Sequence, residues 1–563
     1  MAACAQRLQL ARVATPVAPT IICRVKISVK RALPLWWKKK QGYLLLGFLI
    51  LVALAARLLP GERIIDDAYI TFRYARNIAG GRGFVYNQGE HVLGTTTPLY
   101  TLILAGLAKI IRSSDFPSIA VLTNAVAGAL SVGLLYALGK RLVGHWAAPA
   151  AAALLWALAP FSVTFAVGGM ETDLVVTLLL ASAYAYVVDA SYALAVLSSL
   201  ALLVRPDTAL LLVLLWLGLI VRRRRLPFWE VATAVAVLAP WLVFAVVVFG
   251  SPVPGSLVAK SAAYRLPPTA ALVRLIQHYS TPFLAHTLLG SGWQLFGFVF
   301  YLALVSVGGI HVLRRLPHAW PLLIYPYAYL ITFAAANPLL FRWYLSPPLP
   351  FYFLLILSGV WYAGSDIVRA LRWRSRNAID SVPGPNTALM DRDPDRSTSA
   401  AGSVPLAALA ALALITTLNA WELHPDHGPD RPAPQMAWFE LELLYTQAAE
   451  FVLDGASPDD CLCAGDIGTL GYHTRLPICD TVGLVTPESR RYYPADPEIY
   501  AINYAIPAQF VLDAAPDWLV ILEVYGRKGL LRDANFLVRY RLVGKLPTDV
   551  YDSNGMLVYA RRE

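Results

Sequence analysis

Eleven apolar runs punctuate this chain, centred on 43–60, 117–140, 145–167, 171–188, 190–204, 207–221, 230–249, 289–313, 318–336, 343–364 and 403–421. A helix rises 1.5 Å per residue, so about 20 apolar residues cross a 30 Å hydrocarbon core. Most of the runs approach that length. The sequence is 57% hydrophobic and only 15% charged, where a soluble domain carries about 25%. The reading is an α-helical, multi-span membrane protein with about eleven transmembrane helices.

The formal charge of +11 raises nucleic acid as a partner, but its distribution points to membrane topology. Residues 1–40 hold nine Lys/Arg and no Asp/Glu, and further basic clusters fall at 140–141, 222–225, 314–315 and 369–376. With the basic tail, 1–42, in the cytoplasm, these clusters also fall inside, as the positive-inside rule requires. Loops 61–116, 168–170, 250–288 and 337–342 then lie outside, with everything after 421. The apolar stretch 98–111 is short for a span; counting it as a crossing would put the arginine clusters outside. It is therefore read as an interfacial or re-entrant helix on the outer face. Residues 372–402 read as a disordered cytoplasmic linker. Residues 422–563 change composition and read as an extracytoplasmic α/β domain, closing a membrane module of 43–421. The cysteines at 461, 463 and 479 leave room for one disulfide there.

The first outer loop holds adjacent acids, Asp66 and Asp67, directly after the first span. Ionisable groups at a bilayer are costly and usually functional, although a first-turn acid also caps a helix. Arg73, Arg76 and Asn77 follow at helical spacing, where they can neutralise a phosphate or bind substrate. Later outer loops add Glu171 in 168–173, Arg205 and Asp207 around Pro206, Lys260, and Arg342 with Tyr344. Each has an ordinary explanation: a cap, a local ion pair, or snorkelling to head groups. Charge offered from four loops at one face is less easily explained that way. His473 reads as structural or acceptor-facing rather than as a metal ligand.

The order of these residues resembles the C-type (GT-C) integral membrane glycosyltransferases, and within them the branch containing the mycobacterial terminal arabinofuranosyltransferase. The resemblance is carried by residues 66–70 with 73–77, 168–172, 205–207, 250–260 and 342–344, and in the tail by 465–468 and 480–484. It implies a sugar taken from a polyprenyl-phosphate donor outside the cytoplasmic (inner) membrane and passed to a cell-envelope glycan or glycoconjugate. In this family the first-loop aspartate is catalytic, a role that carries to Asp66 or Asp67. Lys260, Arg205 and Arg342, in that order, would hold the donor phosphate. Arg73, Arg76, Asn77, Glu171, Asp207, Tyr344 and His473 would bind substrate. A divalent cation bridging carboxylate and phosphate is chemically reasonable, with Asp66 and Asp67 as its ligands, but the sequence requires no cofactor. The rival readings are a lipid-linked sugar transporter and a non-enzymatic envelope-assembly protein. Transporters favour midplane acids and internal repeats, and the chain shows neither.

Overall fold

The computed structural model describes residues 35–380, 394–424, 430–437 and 440–562. It divides into two compact units, Met1–Leu45 and Leu46–Glu563. Most of the basic tail, 1–34, lies outside the described residues, as does 381–393 of the expected linker. That linker is helical at both of its described ends, where one helix runs on to Asp380 and the next starts at Pro394.

The apolar runs are helical throughout, but fewer of them are long enough to cross. After α1 (Leu35–Leu58) come α2 (Asp66–Ala79), α3 (Pro98–Ile111) and α4 (Phe116–Val143). Then follow α5 (Ala147–Leu158), α6 (Pro160–Val167), α7 (Thr172–Val187), α8 (Ser191–Val204), α9 (Ala209–Arg223) and α10 (Phe228–Phe249). Among the described residues six segments are long and apolar enough to span: Gln41–Leu58, Phe116–Val143, Phe228–Phe249, Trp293–Arg315, Pro317–Ala336 and Arg342–Leu371. A seventh arises if α5 and α6, bent by 42°, count together. The bend has a local cause. Ala159 is extended (φ −59°, ψ 128°) before Pro160, which brings no N–H and disfavours helical backbone in the residue before it.

Of the eleven expected spans, six or seven have, among the described residues, the length and composition of a crossing helix. The runs at α7 and α8 form helices of 16 and 14 residues, and α9 has 15. At 1.5 Å per residue each extends roughly 21–24 Å, less than a 30 Å hydrocarbon core. Charge at their ends stops them: Glu171 and Asp173 at the start of α7, Arg205 and Asp207 between α8 and α9. The stretch 98–111 forms α3, 14 residues long and too short to cross, in keeping with its reading as a non-spanning helix.

The chain continues through α11 (Gly255–Ala263), α12 (Ala270–Ser280), α13 (His286–Leu289), α14 (Trp293–Arg315), α15 (Trp320–Ala336), α16 (Leu349–Asp380) and α17 (Pro394–Leu418). A small α/β domain follows. It opens with an antiparallel pair, β1 (Trp421–His424) and β2 (Arg431–Pro434), then α18 (Glu440–Leu453). Its main sheet has β3 (Leu462–Ala464), β4 (Ile478–Asp480), β5 (Trp518–Leu522), β6 (Tyr540–Leu546) and β7 (Met556–Arg561) in the order β4-β3-β5-β7-β6. The β4-β3-β5 pairs are parallel and the rest antiparallel. Every residue of β3 and β4 is buried, as strands covered on both faces require. The β3–β4 crossover carries α19 (Gly468–Thr474). Cys463 and Cys479, partners on these strands, form a disulfide, and Cys461 is free.

Helix α19 is what brings this domain to the membrane module, because it packs directly on α2. Apolar residues from the first loop, among them Tyr74, Phe84 and Tyr86, share one buried cluster with the sheet residues Leu462, Val520 and Val558.

Candidate active site

Successive residues on a helix point about 100° apart, and that separates the acidic pair. Backbone pairing fixes where α2 starts: the Arg63 and Ile65 N–H groups donate to Val167 O and Gly168 O, each at 3.0 Å. Asp66 then faces α19. Its Oδ2 accepts from the Gly468 N–H (3.0 Å) and its Oδ1 from the Thr469 N–H (2.8 Å). Burial, reinforced by the charges of Asp466 and Asp67, pushes Asp66 up to about 7, against the pull of the Thr469 N–H. Asp67 faces the other way. Lys260 Nζ on α11 donates to Asp67 Oδ2 at 3.3 Å, and the Asp67 side chain is 29% exposed. Burial works to lower Lys260, but the attraction of Asp67 and its neighbours outweighs it and holds the ammonium above the ordinary lysine range.

Asp67 lines two cavities. The larger, about 510 Å³, is bounded by Asp67, Thr95, Thr97, Glu171, Arg205, Asp207, Lys260, Tyr264 and Tyr344, with an apolar wall that includes Phe333, Leu339, Phe341 and Trp343. Arg205 is extended (φ −161°, ψ 130°) because Pro206 follows it. It therefore ends α8 and turns its guanidinium onto Asp207 (Nε–Oδ1 2.6 Å, Nη2–Oδ2 2.9 Å) and Glu171 (Nη1–Oε1 3.3 Å). The same group sits 5.1 Å over the Tyr344 ring, and the Lys260 ammonium 4.4 Å over Phe341. Lys260 is thus held by one carboxylate, whereas Arg205 is already balanced by two.

The smaller cavity, about 330 Å³, lies between Asp66 and Asp67 on one side and the C-terminal domain on the other, with Arg274, Arg342, Glu442, Asp466, Tyr525 and Tyr551 in its walls. Arg342 lines this cavity and not the larger one, so the expected trio of phosphate ligands is divided: Lys260 and Arg205 on one side of Asp67, Arg342 on the other. Asp466 was not foreseen as a site residue. Its Oδ2 accepts from Tyr445 OH at 2.5 Å, and burial raises its pKa. The run 465–468 stood out in the sequence, but no spacing there announces that it meets Asp66 some 400 positions earlier.

Four of the expected substrate ligands lie away from both cavities and bond or pack within the fold. Arg73 is buried, with Nε on Tyr86 O (2.9 Å), Nη1 on Gly471 O (2.7 Å), and Nη2 on Asn87 Oδ1 (3.1 Å) and Leu476 O (2.8 Å). Arg76 donates to Tyr472 O at 2.7 Å and lies over that ring. Asn77 donates to Val85 O and Tyr86 O. The His473 ring packs against Tyr69, 5.3 Å between centroids. None of the four lines either cavity. Carbonyls buried where two domains meet need donors, and Arg73 and Arg76 supply them.

For a divalent cation the donors fit poorly. Both Asp66 oxygens accept backbone N–H groups and Asp67 is paired with Lys260. Among the described residues no group of three or more His, Cys, Asp or Glu is placed to hold a metal ion.

Comparison with known proteins adds the following. Residues 435–559 match a family described as a domain of unknown function (DUF8728). No curated protein matches the sequence. Among solved structures, ArnT from Cupriavidus metallidurans, bound to undecaprenyl phosphate, superposes with a TM-score of 0.54 at 13% identity, over 93% of this chain and 98% of that one. The Archaeoglobus fulgidus oligosaccharyltransferase in its apo form gives 0.52 at 14% identity, over 94% and 75%. A mycobacterial arabinofuranosyltransferase, AftD, gives 0.43 at 14% identity over 93% of this chain and 40% of that chain, too distant to bear on the sugar. At these identities the first two likenesses concern the fold.

Proposed function

We propose that this chain, which has the fold of the GT-C membrane glycosyltransferases, transfers a sugar from a polyprenyl-phosphate donor to a hydroxyl acceptor on a cell-envelope glycan or glycoconjugate. The observation that carries the reading is the Asp67–Lys260 pair at the edge of a cavity large enough for a sugar phosphate and walled on one side by apolar residues. A phosphate entering beside Lys260 competes with Asp67 for the ammonium. As the lysine turns to the phosphate, Asp67 is left as a carboxylate without its cation, better able to take a proton. The acceptor oxygen attacks the anomeric carbon and its proton passes to Asp67. The bond from that carbon to the phosphate oxygen breaks, and its electron pair leaves with the polyprenyl phosphate. Charge building on the leaving group needs neutralisation more than protonation. Lys260 supplies it as a point charge, while Arg205, committed to Asp207 and Glu171, shapes the wall and orients those acids.

On this reading the site and the C-terminal domain face the extracytoplasmic side of the inner membrane. Helix α9 begins just after Asp207 and ends at Arg222 and Arg223, about 22 Å away at 1.5 Å per residue. Gly144, which closes α4, packs against Arg315 at the end of α14. These basic ends, away from the site, are the ends the positive-inside rule would keep in the cytoplasm. The sequence resemblance makes arabinofuranose the first sugar to try.

The test is to give purified protein in nanodiscs a panel of polyprenyl-phosphate sugars with a glycan acceptor and to follow free polyprenyl phosphate by mass spectrometry. Release of polyprenyl phosphate together with a new glycoside is expected. Passage of intact lipid-linked sugar across a liposome without cleavage would favour transport instead.

A further inference from the structure

The basic ends on the face away from the site are not alike. At the end of α9, acids answer Arg222 and Arg223. Asp189 lies 3.5 Å from the first and 3.1 Å from the second, and Glu230 lies 2.7 Å from the second. At the ends of the spanning helices α4 and α14 stand Lys140, Arg141, Arg314 and Arg315, and among the described residues no carboxylate pairs with them. Asp366 on α16 is already taken by His311 (3.3 Å) and Arg369 (2.6 Å). Packing draws this charge into a defined place. Gly144, in the left-handed region at φ 80°, leaves the room that a Cβ would take from the Arg315 guanidinium, so Arg315 lies against the end of α4. The next residue, His145, stacks on Trp361 of α16 with 4.0 Å between centroids. Tyr362 holds the same turn, donating to Val143 O at 2.7 Å and stacking on His311. Both His145 ring nitrogens are closed off from solvent, and among the described residues neither has a hydrogen-bond partner. Buried polar atoms are rarely left so. Burial and the Arg315 charge push His145 down to about 4, so at neutral pH its ring is uncharged and offers one N–H. Trp146 follows, 61% exposed, as an indole settling among lipid head groups would be.

We propose that the turn 143–146, with Arg315, binds the phosphate of an anionic phospholipid in the leaflet away from Asp67. Arg315 turns its fork onto the phosphate, and the His145 N–H gains an acceptor there. Lys140, Arg141 and Arg314 add attraction around it. Trp146 packs beside the glycerol. The position at the ends of two spans sets the site at head-group depth, so its occupant is a lipid rather than a free anion. A phosphatidylcholine would bring its trimethylammonium among these cations and is disfavoured. The bound lipid bridges α4 and α14, on the side of the membrane module far from the chemistry.

Native mass spectrometry of the full chain, released from nanodiscs of mixed phosphatidylcholine and phosphatidylglycerol, counts the lipid each protein keeps. The natural protein should carry phosphatidylglycerol, and retention should fall by about tenfold in Arg315→Gln and in His145→Ala. The double variant Arg224→Ala with Arg225→Ala removes two charges from the α9 end of the same face and should retain as much as the natural protein. An equal loss in that variant would show diffuse attraction by charge and overturn the site. So would unchanged retention in Arg315→Gln and His145→Ala, or no preference for phosphatidylglycerol over phosphatidylcholine. Displacement of the lipid by added inorganic phosphate would show a free-anion site and overturn the lipid reading. Tm in phosphatidylcholine nanodiscs, expected to match the natural protein, reports that each variant is folded; should one of the two fail this, the other decides.

Discussion

At the scale of single residues, two adjacent aspartates have different work. Asp67 meets a cation and a cavity, while Asp66 receives two backbone N–H groups. In Asp66→Asn one carboxylate oxygen becomes an NH₂ facing an N–H donor. The contact between α2 and α19 should weaken by about 1–3 kcal/mol at neutral pH, read as a lower Tm and faster proteolysis at the domain junction. The same residue gives stability a pH dependence. Folded Asp66 holds its proton up to about pH 7, against an ordinary value of 3.8. The folded state therefore binds more protons between those values. The contribution is complete below the lower one and is lost as pH rises through the upper. Melting curves from pH 4.5 to 8 should fall less steeply in Asp66→Asn than in the natural protein; identical slopes would contradict the assignment.

The doubled acid, Lys260 and Arg205 were legible as site residues because charge is scarce in so apolar a chain. What each faces was not. The spacing of Arg73, Arg76 and Asn77 revealed a polar face of a helix, but the carbonyl partners of Arg73 and Arg76 on α19 and near it lie about 400 residues away, and no local pattern encodes such a meeting.

At the scale of elements, α19 on α2 is the joint on which the site depends. Gly468 stands where any Cβ would collide with the Asp66 backbone carbonyl, so Gly468→Ala should displace the joint and the acidic pair with it. Activity should then fall even though Gly468 lines neither cavity; full activity in that variant would show the joint to be dispensable. Within the membrane module, Arg57 Nε meets Asp173 Oδ2 at 2.5 Å with both side chains fully buried. Arg57→Met should cost about 3–5 kcal/mol by stranding the acid, seen as loss of monodisperse protein on extraction, and Arg57→Met with Asp173→Leu should recover part of it. Sequence inspection placed Asp173 at a helix start but not its partner on α1. It also measured some apolar runs as longer than the helices they form. Apolar runs were measured with their flanking turns, whereas charges at 171, 173, 205 and 207 cut the helices to 14–16 residues.

At the scale of the molecule, the C-terminal domain is part of the site rather than an appendage. It supplies Asp466 and the N–H groups that hold Asp66, and it receives Arg73. A chain ended at residue 421 would strip Arg73 and Asp66 of these partners and uncover the apolar cluster of Tyr74, Phe84 and Tyr86, so it should accumulate poorly and transfer no sugar. Retained turnover would show that the domain only holds acceptors. The overall plan, a helical membrane module followed by a small α/β domain, was readable from hydropathy and the change in composition after the last apolar run. How the two meet was not.

The most direct measurement is a single-turnover comparison of the natural protein, Asp66→Asn and Asp67→Asn with one productive polyprenyl-phosphate sugar, following polyprenyl phosphate release. Asp67→Asn should slow the chemical step by about 10²–10⁴ with donor binding kept, and Asp66→Asn, once folded, should retain a larger share of the rate. An Asp67→Asn protein that turns over like the natural one, or an Asp66→Asn protein that is folded and slower than Asp67→Asn, would contradict the assignment of the chemistry to Asp67.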